Sequence, residues 1–264
     1  MLEVREATVV FNGGTVNEKT ALDHVSLTLE AGDFATVIGS NGAGKSTLLG
    51  AIAGSLPLSA GQIVLDGQDM TRMKEHRRSH AIGRLFQDPL KGTAPTMTIE
   101  ENLGLAYSRG KRRSLQLGVS RKDEQFFYDL LKSLNLGLED RLTTKVGLLS
   151  GGQRQAVTLL MASLQKPRLL LLDEHTAALD PATAAKVLEL SDRIVQENGL
   201  TTMMITHNMK DAIRHGNRLI MMNKGEIIFD CRGEEKAKLT VEDLLEKFAQ
   251  ISGSTLDNDR ALLG

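Results

Sequence analysis

Two stretches of this 264-residue chain bring together residue types that handle phosphate, a divalent cation and water. The first is Gly39-Ser40-Asn41-Gly42-Ala43-Gly44-Lys45-Ser46-Thr47, which fits G-x-x-x-x-G-K-[ST]. It follows the β-rich run Phe34–Ile38 and leads into a helical stretch from Ser46 to Ala53. The glycines let the backbone wrap closely enough for N–H groups to point at phosphate oxygens, and a helix N-terminus adds partial positive charge. Lys45 is then expected to reach β- and γ-phosphates, and the Ser46 hydroxyl to ligate Mg²⁺. The alternative is a glycine-rich turn with an incidental lysine; the full motif in a strand–loop–helix context speaks against it. The second stretch is Leu169-Leu-Leu-Leu172 followed by Asp173-Glu174. An apolar strand ending in acids places a carboxylate at its C-terminal edge, beside the phosphate loop. Asp173 would hold Mg²⁺ through water, and Glu174 would orient the attacking water and take its proton. Alone, this pattern is also that of a strand leaving the core.

Together the two describe a nucleoside triphosphatase and nothing narrower. Between them lies Leu149-Ser150-Gly151-Gly152-Gln153-Arg154-Gln155, just before a helical stretch. Here the chain resembles the ATP-binding cassette (ABC) ATPases, whose signature is LSGGQ. The resemblance implies that Ser150, Gly151, Gly152 and Gln153 are offered in trans to a γ-phosphate bound by a partner subunit. Ser150 Oγ and the N–H groups of the two glycines would form a second anion-binding helix terminus. It further implies roles for single residues. Gln87 contacts Mg²⁺ or water and links the core to a helical insert. Asp180 lies in a loop crossing the dimer interface, His207 bonds the γ-phosphate and aligns water with Glu174, and Phe11 stacks on adenine. The resemblance runs from about residue 2 to 232. Three positions depart from the commonest form: His175 stands for Pro, Ala178 for Ser and Ser40 for Pro. None removes a phosphate or metal ligand. His175 has no second His or Cys at ligand spacing, and His76 and His80 lie in a charged stretch that reads as a solvated helix face.

Composition narrows the field independently. Hydrophobic residues are 41% and charged residues 25%, as in ordinary globular chains. Thirty-two basic residues against 33 acidic ones give a net charge of −1, without the basic excess of a general nucleic-acid binder. Aromatics are 3%, too few for base-stacking platforms, so the core must rest on aliphatic residues and ten Met. The lone Cys231 fits a reducing compartment. The start, MLEVREATVV, does not read as a signal peptide, and no apolar run approaches the roughly 18 residues of a membrane span.

The elements that must position these residues follow from periodicity and turn signals. Residues 1–90 read as short strands, including Ala7–Val10 and Val25–Leu29, with turns at Asn12–Gly14 and Ala31–Asp33. From about 96 to 165 the pattern is helical: Thr98-Ile-Glu-Glu101 opens one helix with a capping signature, and Glu124 to Leu136 is amphipathic. A basic loop, 109–113, lies between them. Arg168–Leu172, Thr201–Ile205 and Leu219–Met222 read as buried strands, and Thr240–Phe248 as a last helix with a polar tail. The fold class is α/β. The resemblance implies a phosphate-loop NTPase core with a mixed sheet, an antiparallel β subdomain and a helical insert. The domains are 2–235, with 96–165 inserted, and a C-terminal helix and tail over 236–264.

The function expected is ATP hydrolysis by the nucleotide-binding subunit of a membrane transporter, with ATP and Mg²⁺, importing a small solute such as an amino acid. The partners implied are a second cassette, most simply the same chain, a transmembrane permease and a solute-binding protein, with no nucleic acid. The protein would sit peripherally on the cytoplasmic side of the membrane. The permease would dock near Gln87 and residues 95–102. The rival from another class is a soluble ABC-type ATPase of iron–sulfur cluster assembly. A nucleotide switch that does not hydrolyse is disfavoured by Glu174 and His207.

Overall fold

The run Leu169-Leu170-Leu171-Leu172 is buried on both sides: Leu169 and Leu171 join one hydrophobic cluster, Leu170 and Leu172 another. Alternate side chains leave opposite faces of a strand, so such a run belongs inside a sheet covered above and below. The structure, a computed structural model describing residues 1–110 and 119–252, has that layered form.

In chain order the elements are β1 (Leu2–Phe11), β2 (Lys19–Leu29), β3 (Phe34–Ile38), α1 (Lys45–Ala53), β4 (Ala60–Leu65), β5 (Gln68–Asp69), α2 (Glu75–Arg78) and β6 (Ile82–Leu85). Then come α3 (Ile99–Tyr107), α4 (Arg121–Ser133), α5 (Gly151–Ser163), β7 (Leu169–Asp173), α6 (Pro181–Asn198), β8 (Thr202–Ile205) and α7 (Met209–Arg214). The chain closes with β9 (Arg218–Asn223), β10 (Glu226–Arg232), α8 (Glu234–Ala237) and α9 (Val241–Ser252).

The central sheet runs β10-β9-β3-β8-β7-β6. Its strands are parallel from β9 to β6, with β10 antiparallel at one edge. A second, antiparallel sheet, β2-β1-β4-β5, covers one face. Leu2, Val4, Leu27 and Ile63 meet Leu171, Met203 and Ile205 there, with α1 between. The opposite face carries α3 to α6 over Leu170, Leu172 and Met204. A third cluster packs α7 and α9 on β9 and β10 through Leu219, Met221, Leu244 and Phe248.

The α/β class, the mixed sheet, the antiparallel sheet and the helical stretch between β6 and β7 agree with expectation. The amphipathic helix begins earlier, at Arg121, because Ser120 and Asp123 form a capping box, and it stops at Ser133 rather than Leu136. β10 was not foreseen. The charged stretch at α2 is not wholly solvated: Arg78 is 2% exposed. Its guanidinium donates to the carbonyls of Met73, Thr71, Ala51 and Ile52, closing the C-terminal end of α1. The expectations for residues 111–113 and 253–264 lie outside the described residues. Among the described residues no helix is long and apolar enough to cross a membrane.

Candidate active site

Strand register brings the chemistry-bearing residues to one edge. Val37 of β3 pairs with Ile205 of β8, and Ile205 with Asp173 of β7. Leu85 of β6 pairs with Leu172. Gly39, His207, Glu174 and Gln87 therefore all leave the sheet within a residue or two of one line, at the C-terminal ends of parallel strands. That crevice is where open α/β sheets take ligands.

The loop from Gly39 to Gly44 is shaped by contacts that exclude side chains. Gly39 has φ +149°, and a Cβ there would lie 2.1 Å from Met222 O. Gly44 has φ +102°, and a Cβ would lie 2.6 Å from Ala21 O. Because Gly44 is the N-cap of α1, no side chain caps that helix. The other described helices of nine or more residues each have one. The first N–H groups of α1 thus face the loop without a protein acceptor from a cap, as an anion site requires.

Lys45 is 6% exposed and folds back, its Nζ donating to Gly39 O at 2.6 Å and Ser40 O at 3.0 Å. Burial pushes its pKa below the usual lysine range, and the charges of Glu174 and Asp173 pull it back up. Ser46 Oγ donates to Asp173 Oδ1 at 3.4 Å. Burial pushes the Asp173 carboxyl upward, opposed by the Arg84 guanidinium 3.8 Å away. Glu174 stands in the left-handed region at φ +43°, its N–H donating to Ile205 O at 3.1 Å. A cleft of about 200 Å³ runs from Phe11 and Lys19 past Asn41, Gly42, Ala43, Ser46 and Thr47 to Glu174. The Phe11 ring is exposed at its rim. Gln87 lies in an exposed bend after β6, and His207, half-buried, follows β8.

The signature residues lie elsewhere, at the start of α5. Ser150 caps α5: its Oγ accepts from Gln153 N–H at 3.3 Å, and Gln153 Oε1 accepts from Ser150 N–H at 3.3 Å. Ser150 and Gly151 are exposed, whereas Gly152 is buried against Thr183, whose Cγ2 would be 2.2 Å from an added Cβ. Asp180 caps α6 through Thr183 N–H at 3.0 Å, a bond that lowers its pKa. On a single chain, then, Ser150–Gln153 and Asp180 are not brought to the phosphate loop.

Sequence reasoning missed Arg84, whose signal is a cation inside the otherwise buried strand Ile82–Leu85. It also left His175 without a role. That ring is 3% exposed, with Nε2 3.0 Å from Ser191 Oγ. Among the described residues no three His, Cys, Asp or Glu could hold a metal together.

The family described as ABC transporter matches residues 22–177. A tyrosine transport ATP-binding protein of Clostridioides difficile (strain R20291) is 46% identical over 94% of this chain and 98% of its own length. A thiamine import ATP-binding protein of Ruegeria sp. (strain TM1040) is 38% identical over 75% of this chain and 80% of its own. Among solved structures, a dimeric ATP-binding cassette in a post-hydrolysis state with ADP and Pi is 27% identical, with TM-score 0.76 over 88% of this chain and 98% of that one.

Proposed function

The chain belongs to the ABC transporter family and is an ATP-binding cassette that hydrolyses ATP; from there we propose that it energises import of a small solute of the amino-acid class. The observation that carries this reading is that the chain presents two incomplete halves of a site. The uncapped phosphate loop lies at the strand edge, and the exposed start of α5 lies apart from that cleft on the same chain. Two copies arranged as a twofold pair complete both halves, enclosing two ATP molecules.

In each site the loop from Gly39 to Thr47 cradles the phosphates, Phe11 stacks on adenine, and Ser150–Gln153 of the second copy close over the γ-phosphate. Asp180 lies on the surface between the copies. Glu174 accepts the proton of a water attacking the γ-phosphorus, the bond to the β–γ bridging oxygen breaks, and ADP and inorganic phosphate leave. His207 holds the γ-phosphate and the water in line with Glu174. Ser46 and Asp173 are adjacent hard oxygen donors, fitting Mg²⁺, and Gln87, two residues beyond the end of β6, would join them. When bound, the ion offsets phosphate charge.

Closure and opening of the pair yield motion that a membrane permease would use. A groove of about 590 Å³ between the Gly92–Ala94 segment and α3, bordered by exposed Leu105, would be where a cytoplasmic helix of that permease docks. The protein would then work peripherally at the cytoplasmic face, alongside a solute-binding protein. The amino-acid class rests on the tyrosine transport relative. The iron–sulfur alternative finds no support at Cys231, which is buried, with its thiol pushed up to about 11 by burial and by Glu235 and Asp230.

The test is purification of a tagged Glu174→Gln form with ATP from detergent-solubilised native membranes. The co-purified permease, paired with the parent cassette in liposomes, is then assayed with labelled amino acids. ATP-dependent amino-acid uptake is expected. Uptake confined to another solute overturns the solute class, and soluble cluster-assembly proteins without any permease overturn transport itself.

A further inference from the structure

We propose that His175 is a positioning residue for Glu174, its ring tying the turn that carries that carboxylate to the middle of α6. The inference rests on the ATPase reading and adds to it a residue that the resemblance assigns no task. Glu174 occupies the left-handed region at φ +43°, which a residue with a side chain adopts only at some cost. Between Glu174 and Asp180, His175 is the one buried side chain. Its Nε2 lies 3.0 Å from Ser191 Oγ in α6. Ser191 spends its single hydroxyl hydrogen on Val187 O at 2.8 Å, so its oxygen accepts and His175 donates from Nε2. Burial keeps the ring neutral, holding its pKa at about 4. The ionisable groups facing it are His215, whose Nδ1 is 2.6 Å from Asp192 Oδ2, and Asp192 itself.

The other end of the turn is fastened to the same helix, through Asp180 at its N-cap. The span from Glu174 to Asp180 is therefore held at two points of one rigid element, and a shift of α6 carries the Glu174 carboxylate with it. α6 also reaches the signature end, where Thr183 packs on Gly152 and Leu179 on Gly151. Proton transfer to Glu174 demands placement to within about 1 Å, a tolerance at which misplacement costs on the order of 100-fold in rate.

The experiment compares His175→Ala and Ser191→Ala with the parent, and His175→Gln as the conservative variant whose amide N–H can reach Ser191. For the alanine variants kcat is expected to fall about tenfold or more, with the dissociation constant for ATP unchanged. His175→Gln is expected to recover most of the loss. In the Glu174→Gln background, adding His175→Ala should leave ATP-dependent pairing as it was, because Asp180 stays fastened to α6 through its own bond to Thr183 N–H. Should His175→Ala fold poorly, Ser191→Ala decides, since it removes one oxygen atom. Unchanged kcat in folded variants overturns the proposal, and so does a parallel rise in the ATP dissociation constant without recovery by glutamine. A parent chain that binds but does not hydrolyse ATP would instead be a failure of the ATPase reading.

Discussion

Two helix starts in this molecule meet solvent in opposite conditions. α1 begins at a glycine with no side-chain cap, inside a loop whose glycines are hemmed in by the carbonyls of Met222 and Ala21. α5 begins at Ser150 with a complete capping box of its own. The first is a preformed anion cavity; the second already satisfies its own first N–H groups and, in the proposed pair, would have to turn outward to serve another chain's phosphate. The difference orders the events. In the proposed pair, nucleotide would fill the α1 end of each subunit first, and the α5 end would have something to close upon only afterwards. Affinity should therefore reside at the strand edge, and the weaker, reversible contact at the signature.

The strongest way to break that comparison is Gly39→Ala. The added Cβ would fall 2.1 Å from Met222 O. Strain on the order of 3 kcal/mol would fall on the loop, and ATP affinity should drop about 100-fold, read by equilibrium binding. Near-parental binding would show that the loop is not the preformed cavity described. Next in size is Lys45→Met. Its ammonium is buried against two carbonyls, and removing a desolvated charge should leave the melting temperature of the nucleotide-free chain level or higher. ATP affinity should still fall about tenfold or more, because the cation for the phosphates is gone. A variant that loses stability and binding together would mean that Lys45 is chiefly structural.

How far these two ends could be read beforehand differs for physical reasons. The strand edge is local: a β run, a glycine loop and a helix are contiguous from Phe34 to Ala53, and β3 and α1 lie where the residues place them. The buried strand at Leu169 is equally local, since four leucines in a row admit few other fates. The roles given to Gln87, His207 and Asp180 came from family resemblance, because a single Gln, His or Asp carries no signal of its own. α4 starts three residues before the expected Glu124 because Ser120 caps it, and a lone serine after a basic stretch is a weak sign of a helix start. Arg78 looked solvated because its acceptors, the carbonyls of Ala51 and Ile52, are main-chain atoms of a distant helix. The His175–Ser191 bond joins two residues with no shared periodicity, and only packing of β7 against α6 brings them together.

The strand-edge end should also be the acid-sensitive one. His175 titrates near 6.5 when unfolded and at about 4 when buried. Between those values the unfolded chain binds a proton that the native chain refuses, so stability falls as pH falls through that window. At pH 5 the loss from this group is about 2 kcal/mol. Denaturant titrations at pH 7 and pH 5 should show His175→Gln losing less stability than the parent by roughly that amount. Equal losses would place His175 in contact with water rather than in the packed turn.

The smallest effects belong to the signature end, where one residue combines two tasks that substitution can separate. Ser150→Ala removes the cap of α5 and should cost about 1 kcal/mol of stability. ATP binding by the isolated chain should be unchanged, since Ser150 is remote from the phosphate loop in one copy. Hydrolysis by the proposed pair should fall, because the hydroxyl it would offer to the partner's γ-phosphate is lost. Ser150→Asp sharpens the point: aspartate caps helices as well as serine does, so the chain should melt like the parent. Yet a carboxylate facing a γ-phosphate is repelled by like charge, and hydrolysis should fall further than in Ser150→Ala. If Ser150→Asp both folds and hydrolyses normally, the α5 end does not approach phosphate in the pair. The capping box would then account for Ser150 entirely.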